Sequence, residues 1–140
     1  MKIPFMFLHA QAGFPSPATD WVERDLNIAD VLVPHAASTY IVRVAGDSMN
    51  GIGIFDGDLL VVDKALEAAH GSLIIAVLEG VFVLKRLEFR GDEMWLSSEH
   101  PAYPPLFVAP DRESTIWGVV TFVIKPIAPT GPLAALLHRS

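Results

Sequence analysis

From Thr39 to Lys125 the chain is a succession of short β-branched and aromatic runs, each cut off by glycine, aspartate or proline, and this punctuation narrows the fold more than anything else in it. Tyr40-Ile41-Val42-Arg43-Val44, Leu59-Leu60-Val61-Val62-Asp63, Leu73 to Leu78 and Val81 to Leu87 are each of strand length and rich in residues that suit a pleated surface. Glu79-Gly80, the two residues between the last two runs, are a hairpin signal. Asp56-Gly57-Asp58 reads as the turn into the Leu59 run. Gly91-Asp92 and the Pro101, Pro104, Pro105 cluster separate further strands at Met94 to Ser97, Leu106 to Ala109 and Thr115 to Lys125. The pattern predicts a mainly β domain, as a folded-over sheet or small barrel.

The flanks read differently. Pro4, Pro15 and Pro17 prevent a regular helix between Met1 and Asp20, which leaves an extended arm. Trp21 to Leu32 carries apolar residues at 21, 22, 26, 28, 31 and 32 behind Thr19-Asp20, a spacing that suits a short helix. Beyond Pro126, a segment with Pro129, Gly131 and Pro132 leads to Leu133–Leu137 and reads as a loose end with a short helical turn.

Composition removes several function classes. Of 140 residues, 51% are hydrophobic and 19% charged, enough apolar surface for a core. The absence of cysteine excludes disulfides, thiol catalysis and cysteine-ligated metals. A net charge of −6 argues against a chain that grips nucleic acid by itself. The longest apolar runs fall well short of the roughly 20 residues a spanning helix needs. Lys2, the apolar Ile3 to Leu8 and Ala10-Gln11-Ala12 outline a secretory signal, but that stretch contains Pro4 and is shorter than the usual core of about 7–15 residues. A cytoplasmic location is expected.

Few residue groups suggest chemistry. His9, His35, His70, His100 and His138 show no ligand spacing, so no metal is expected. Asp56, Asp58 and Asp63 lack the alternation of a calcium loop. Gly46-Asp47-Ser48-Met49 is more suggestive, because a serine where a strand gives way to a turn can present its hydroxyl beside backbone amides that point the same way. An ordinary turn serine fits the same residues. Lys85, on Val81 to Leu87, shares one strand face with Val81 and Val83 and so stands among β-branched neighbours. Desolvation there lowers a lysine pKa, and a shift of about three units leaves an amine able to act as general base near neutrality. A lysine that snorkels to the rim of the sheet would be inert.

Gly46-Asp47-Ser48-Met49, then Gly53-Ile54-Phe55-Asp56-Gly57-Asp58-Leu59-Leu60-Val61-Val62-Asp63, then Phe82-Val83-Leu84-Lys85-Arg86-Leu87 together resemble the LexA/UmuD-type self-cleaving serine peptidases, over about residues 12 to 126. Gly13-Phe14-Pro15-Ser16-Pro17-Ala18, His70-Gly71 and Trp117-Gly118-Val119-Val120 are similar to the branch that serves SOS mutagenesis, in which no DNA-binding domain precedes the peptidase. The resemblance implies a LexA/signal-peptidase-like sheet with a cleavable arm and lead-in segment at 1–28, a peptidase domain at 29–127 and a tail at 128–140. It implies Ser48 as nucleophile, Lys85 as general base, the backbone amides of Asp47 and Ser48 as oxyanion donors, and Ala12-Gly13 as the scissile bond. A small Ala12 fits a shallow pocket, and Gly13 lets the chain bend into the site. Also implied are stimulation by a RecA filament on single-stranded DNA, a trimmed homodimer and a UmuC-type polymerase subunit as partner, with no cofactor, no metal, no direct DNA contact and no membrane.

The chain departs from that pattern in places. Its arm before the cut is short, Val81 stands where a glutamate is common, and Ser98 and His100 replace a usual proline and asparagine. Two other readings compete: a signal-peptidase-like enzyme that uses the same pair of residues on other chains, and a non-cleaving interaction module.

Overall fold

The structure is a computed structural model that describes residues 1–6, 22–47, 49–110, 114–125 and 127. In chain order these form β1 (Lys2–Met6), β2 (Val22–Asn27), α1 (Ile28–Leu32), β3 (Thr39–Arg43), β4 (Leu59–Asp63), β5 (Leu73–Leu78), β6 (Val81–Arg90), β7 (Glu93–Ser97), β8 (Leu106–Val108) and β9 (Ser114–Ile124). Single 3-10 turns occupy Ala36–Ser38 and Asn50–Ile52. The chain divides into two compact units, Met1–Pro34 and His35–Ser140. The mainly β expectation holds. Among the described residues no helix is long and apolar enough to cross a membrane.

In the larger unit the strands form one antiparallel sheet ordered β3-β4-β9-β5-β6-β7-β8. All five residues of β4 are buried, as its unbroken Leu-Leu-Val-Val run anticipates. The long β9 pairs with β4 on one side and β5 on the other, and both ladders shift register, at Val61/Val62 and at Ile75/Ala76. Such irregularities bend a strand and increase its twist. The β5–β6 hairpin turns where expected, on Glu79 (φ 50°) and Gly80 (φ 82°). Positive φ at both central residues is the geometry whose twist matches two antiparallel strands.

Strand alternation then divides the core in two. Ile74, Ala76 and Leu78 join Leu87, Leu96 and Val108 in one cluster. Ile75, pointing the other way, joins Met49, Ile54, Leu60 and Val62 in the second. Burying each large side chain contributes about 1.5–3 kcal/mol, so these clusters dominate the stability of the unit.

In the smaller unit β1 pairs antiparallel with β2, from Lys2 opposite Asn27 to Met6 opposite Val22. Here the sequence expectation needs correcting. The periodicity of Trp21 to Leu32 suits a helix, yet only Ile28–Leu32 is helical and Val22–Asn27 is a strand. Pairing with β1 satisfies the backbone groups of 22–27 in a way that local apolar spacing does not reveal. The short turn expected in the tail falls on residues outside those described, as does most of the expected arm.

Candidate active site

Lys85 reaches its place through the sheet. On β6 it stands opposite Ile74 of β5, and the next residue, Arg86, stands opposite Ser97 of β7. The Lys85 side chain is half-buried. Its Nζ donates to Ser98 Oγ at 2.5 Å and lies 5.5 Å from the centroid of the Tyr103 ring. Burial removes water from the ammonium and holds its pKa below the ordinary 10.5. Arg86 serves structure instead, donating to Glu99 Oε1 at 2.9 Å and to the Gly71 carbonyl at 2.8 Å.

The opposite wall is the loop from Val44 to Ile54. Hydrogen bonds from Val44 N to Asp58 O and from Gly57 N to Val44 O, each 2.8 Å, fix its start against the next strand. Gly46 N donates to Asp56 Oδ1 at 3.0 Å. After residue 48 the chain turns inward. Met49, 1% exposed, is set into the second core cluster, and the turn at Asn50–Ile52 follows.

Residues 98–103 tie the two walls together. Tyr103 OH donates to Asp47 Oδ1 at 2.8 Å, and His100 Nε2 lies 3.6 Å from Asp47 Oδ2. The hydrogen bond to the Asp47 carboxylate holds the Tyr103 phenol above its ordinary pKa, because ionisation would set two negative charges side by side. Gly51 N donates to the Glu99 carbonyl at 2.7 Å. A Cβ at position 51 would stand 2.2 Å from that oxygen, so only glycine fits.

Between the walls lies a cleft of about 260 Å³, with Asp47 and Met49 on one side, Leu84 and Lys85 on the other and Tyr103 along its margin. It continues past Phe82 and Val83 into a more apolar hollow of about 350 Å³ that Val42, Leu60, Ile75 and Trp117 also line. Of the residues singled out in the sequence, Asp47 and Lys85 share this cleft. Ser48, Ala12 and Gly13 lie outside the described residues; Ser48 falls in sequence between two residues that line the cleft.

The other candidates have structural partners. Asp58 accepts from Phe55 N and pairs with Lys125, while Asp63 accepts from Ser38 Oγ at 2.7 Å and Ala65 N at 2.8 Å and meets His35 Nδ1 at 2.6 Å. His70 Nδ1 accepts from Phe89 N. Sequence reasoning passed over Ser98 and Tyr103 as members of the site. A signal existed for Ser98, which stands where the resemblance leads one to expect proline; none existed for Tyr103, which approaches Asp47 only through the fold.

The class is that of a mainly antiparallel β protein with a partly dehydrated lysine facing a loop across a cleft, and comparison with known proteins gives the particular family. The Peptidase S24-like family model matches residues 4–121. Protein MucA of Salmonella typhimurium is 43% identical over 121 residues, covering 86% of this chain and 82% of that protein. Protein ImpA of Escherichia coli is 39% identical over 127 residues, with the same shares of 86% and 82%. Protein SamA of Salmonella typhimurium is 40% identical over 121 residues, at 86% and 84%. The chain belongs to the Peptidase S24-like family, as a UmuD-type member. Membership indicates serine peptidase chemistry in general.

Proposed function

We propose that the protein cleaves its own chain at Ala12-Gly13 by a Ser48/Lys85 dyad when a RecA filament on single-stranded DNA stimulates it, and that the trimmed dimer then serves a UmuC-type error-prone polymerase. One observation carries the reading: the half-buried Lys85 amine, its pKa lowered by desolvation, lines one cleft with both chain neighbours of Ser48. Neutral Lys85 takes the Ser48 hydroxyl proton as Oγ attacks the Ala12 carbonyl carbon, while the backbone amides of Asp47 and Ser48 stabilise the oxyanion. The Ala12–Gly13 bond breaks as Lys85 returns the proton to the Gly13 amine. Water, deprotonated by Lys85, then hydrolyses the Ala12 ester and regenerates Ser48.

The test is mass spectrometry of purified protein held at alkaline pH, or mixed with activated RecA. A product that begins at Gly13, absent from Ser48→Ala and Lys85→Ala, is expected. Cleavage at the same bond in either variant overturns the dyad, and an intact wild-type chain under both conditions overturns self-cleavage.

A further inference from the structure

The shortest contact of the Lys85 amine is with a residue that the dyad does not include. Ser98 follows β7 directly, where pairing of β6 with β7 brings it beside Lys85, and its Oγ accepts from Nζ at 2.5 Å. Ser98 is itself only partly exposed. A lysine on a flexible four-carbon stem has many rotamers, and a neutral amine acts as a base only when its single lone pair points at the hydroxyl it is to deprotonate. An acceptor that engages one N–H removes much of that freedom.

We propose that Ser98 is a positioning residue for Lys85, accepting one amine N–H so that the lone pair is directed into the cleft. The proposal rests on the reading of Lys85 as general base. The wall around the amine suits such a role. Tyr103 covers it with a ring face rather than a second acceptor, and the titratable groups beyond are Asp47, hydrogen-bonded to Tyr103 OH, and His100, 3.6 Å from Asp47. Among the described residues, Ser98 is thus the hydrogen-bond acceptor for Nζ.

The contact has a second consequence. A hydroxyl that accepts from the amine favours its charged form, opposing the desolvation that favours the neutral one. Loss of the hydroxyl therefore separates two effects. Orientation is lost, which slows the reaction, and the amine becomes easier to deprotonate, which moves its titration toward acid. A residue that merely supported the fold would slow cleavage without moving the titration.

The experiment measures self-cleavage of the full chain against pH for wild type, Ser98→Ala and Ser98→Thr, with Ser48→Ala and Lys85→Ala as controls. Ser98→Ala is expected to lower the plateau rate by about 10- to 100-fold, the scale of effect that misplaced reacting groups produce, and to shift the rising limb to lower pH. Ser98→Thr, which keeps the hydroxyl, should restore most of both. A direct NMR titration of the Lys85 amine in uncleaved Ser48→Ala protein should show the same acid shift on adding Ser98→Ala, and it needs no turnover. Wild-type rate and limb in Ser98→Ala, or a slower rate with limb and NMR titration unmoved, overturn the positioning role while leaving the dyad intact. Cleavage that survives Ser48→Ala or Lys85→Ala overturns the dyad instead, and the positioning role with it.

Discussion

Lys85 and Asp47 line the same cleft, but they arrive there by different means. Lys85 stands on a strand paired with β5 and β7, so the registers of two ladders fix its Cα. Asp47 belongs to a loop held by an inserted methionine, the close contact of Gly51 with Glu99, and the Tyr103 hydroxyl. A ladder distributes the work over many hydrogen bonds, whereas a loop concentrates it in a few. The strand side of the cleft should therefore tolerate change around it, and the loop side should not.

The largest expected effect removes the group that the ladder carries. Lys85→Ala should cut self-cleavage by about 10²- to 10⁴-fold, the span attributed to general acid–base catalysis. Its thermal stability should change little, since the strand around it keeps its pairing. In the wild-type chain the rate should climb as pH rises through the Lys85 pKa, with a midpoint below 10.5 because burial disfavours the charged amine. A midpoint at or above that value would remove desolvation as the source of the base.

The loop is next. Gly51→Ala places a methyl group 2.2 Å from the Glu99 carbonyl, and backbone cannot swing aside as a side chain can. The clash should destabilise the protein by about 2 kcal/mol in urea titration and slow cleavage as well, because the bond from Gly51 N to Glu99 O joins the serine loop to the segment beside the lysine. An alanine at an exposed turn glycine such as position 91 would be the comparison (φ 62°, with open space around its Cβ) and should disturb cleavage much less. Equal effects on cleavage from the two substitutions would erase the distinction between loop and ladder.

The same difference explains what the sequence reveals. Strand runs such as Leu59–Asp63 and Leu73–Leu78 are legible because burial on both faces demands unbroken apolar residues, and the Glu79-Gly80 turn because few residues accept positive φ. Partial desolvation of Lys85 is only half legible, because Val83 on its strand is half-buried but Val81 is exposed, and the Tyr103 ring beside the amine comes from another segment. By contrast, the contacts of Tyr103 with Asp47 and of Glu99 with Gly51 bridge segments far apart in sequence, and nothing local to either partner announces them. Val22–Asn27 shows the same limit: its periodicity suits a helix, and only its distant partner, β1, makes it a strand.

A smaller effect tests one strand of that support. Tyr103→Phe keeps the ring beside Lys85 and removes only the hydroxyl that holds Asp47. Loss of a single hydrogen bond at a partly solvated site should slow cleavage by about fivefold, a figure that corresponds to the net worth of one such bond. The rising limb of the pH profile should stay in place, because the change acts on the loop and not on the amine. An acid or alkaline displacement of that limb would mean that Tyr103 tunes the base directly.

The smallest effect on catalysis should come from a polar cluster built like the loop but attached to the end of β4. Asp63 is buried, and its pKa is held below 3.8 chiefly by the hydrogen bond with His35, then by Ser38 and the Ala65 amide. Because the folded value lies below the unfolded one, its stabilising effect is complete above about pH 4 and disappears as pH falls through the lowered value. Ser38→Ala removes one of those hydrogen bonds and should reduce stability most above that range. The mutant and wild-type urea midpoints should converge as pH falls below about 4 and the carboxylate is protonated. Self-cleavage at alkaline pH should match wild type, since neither Ser38 nor Asp63 borders the cleft. A Ser38→Ala protein that loses cleavage in step with stability would show that polar ties anywhere in the sheet govern the site, and the contrast between its two walls would lose its meaning.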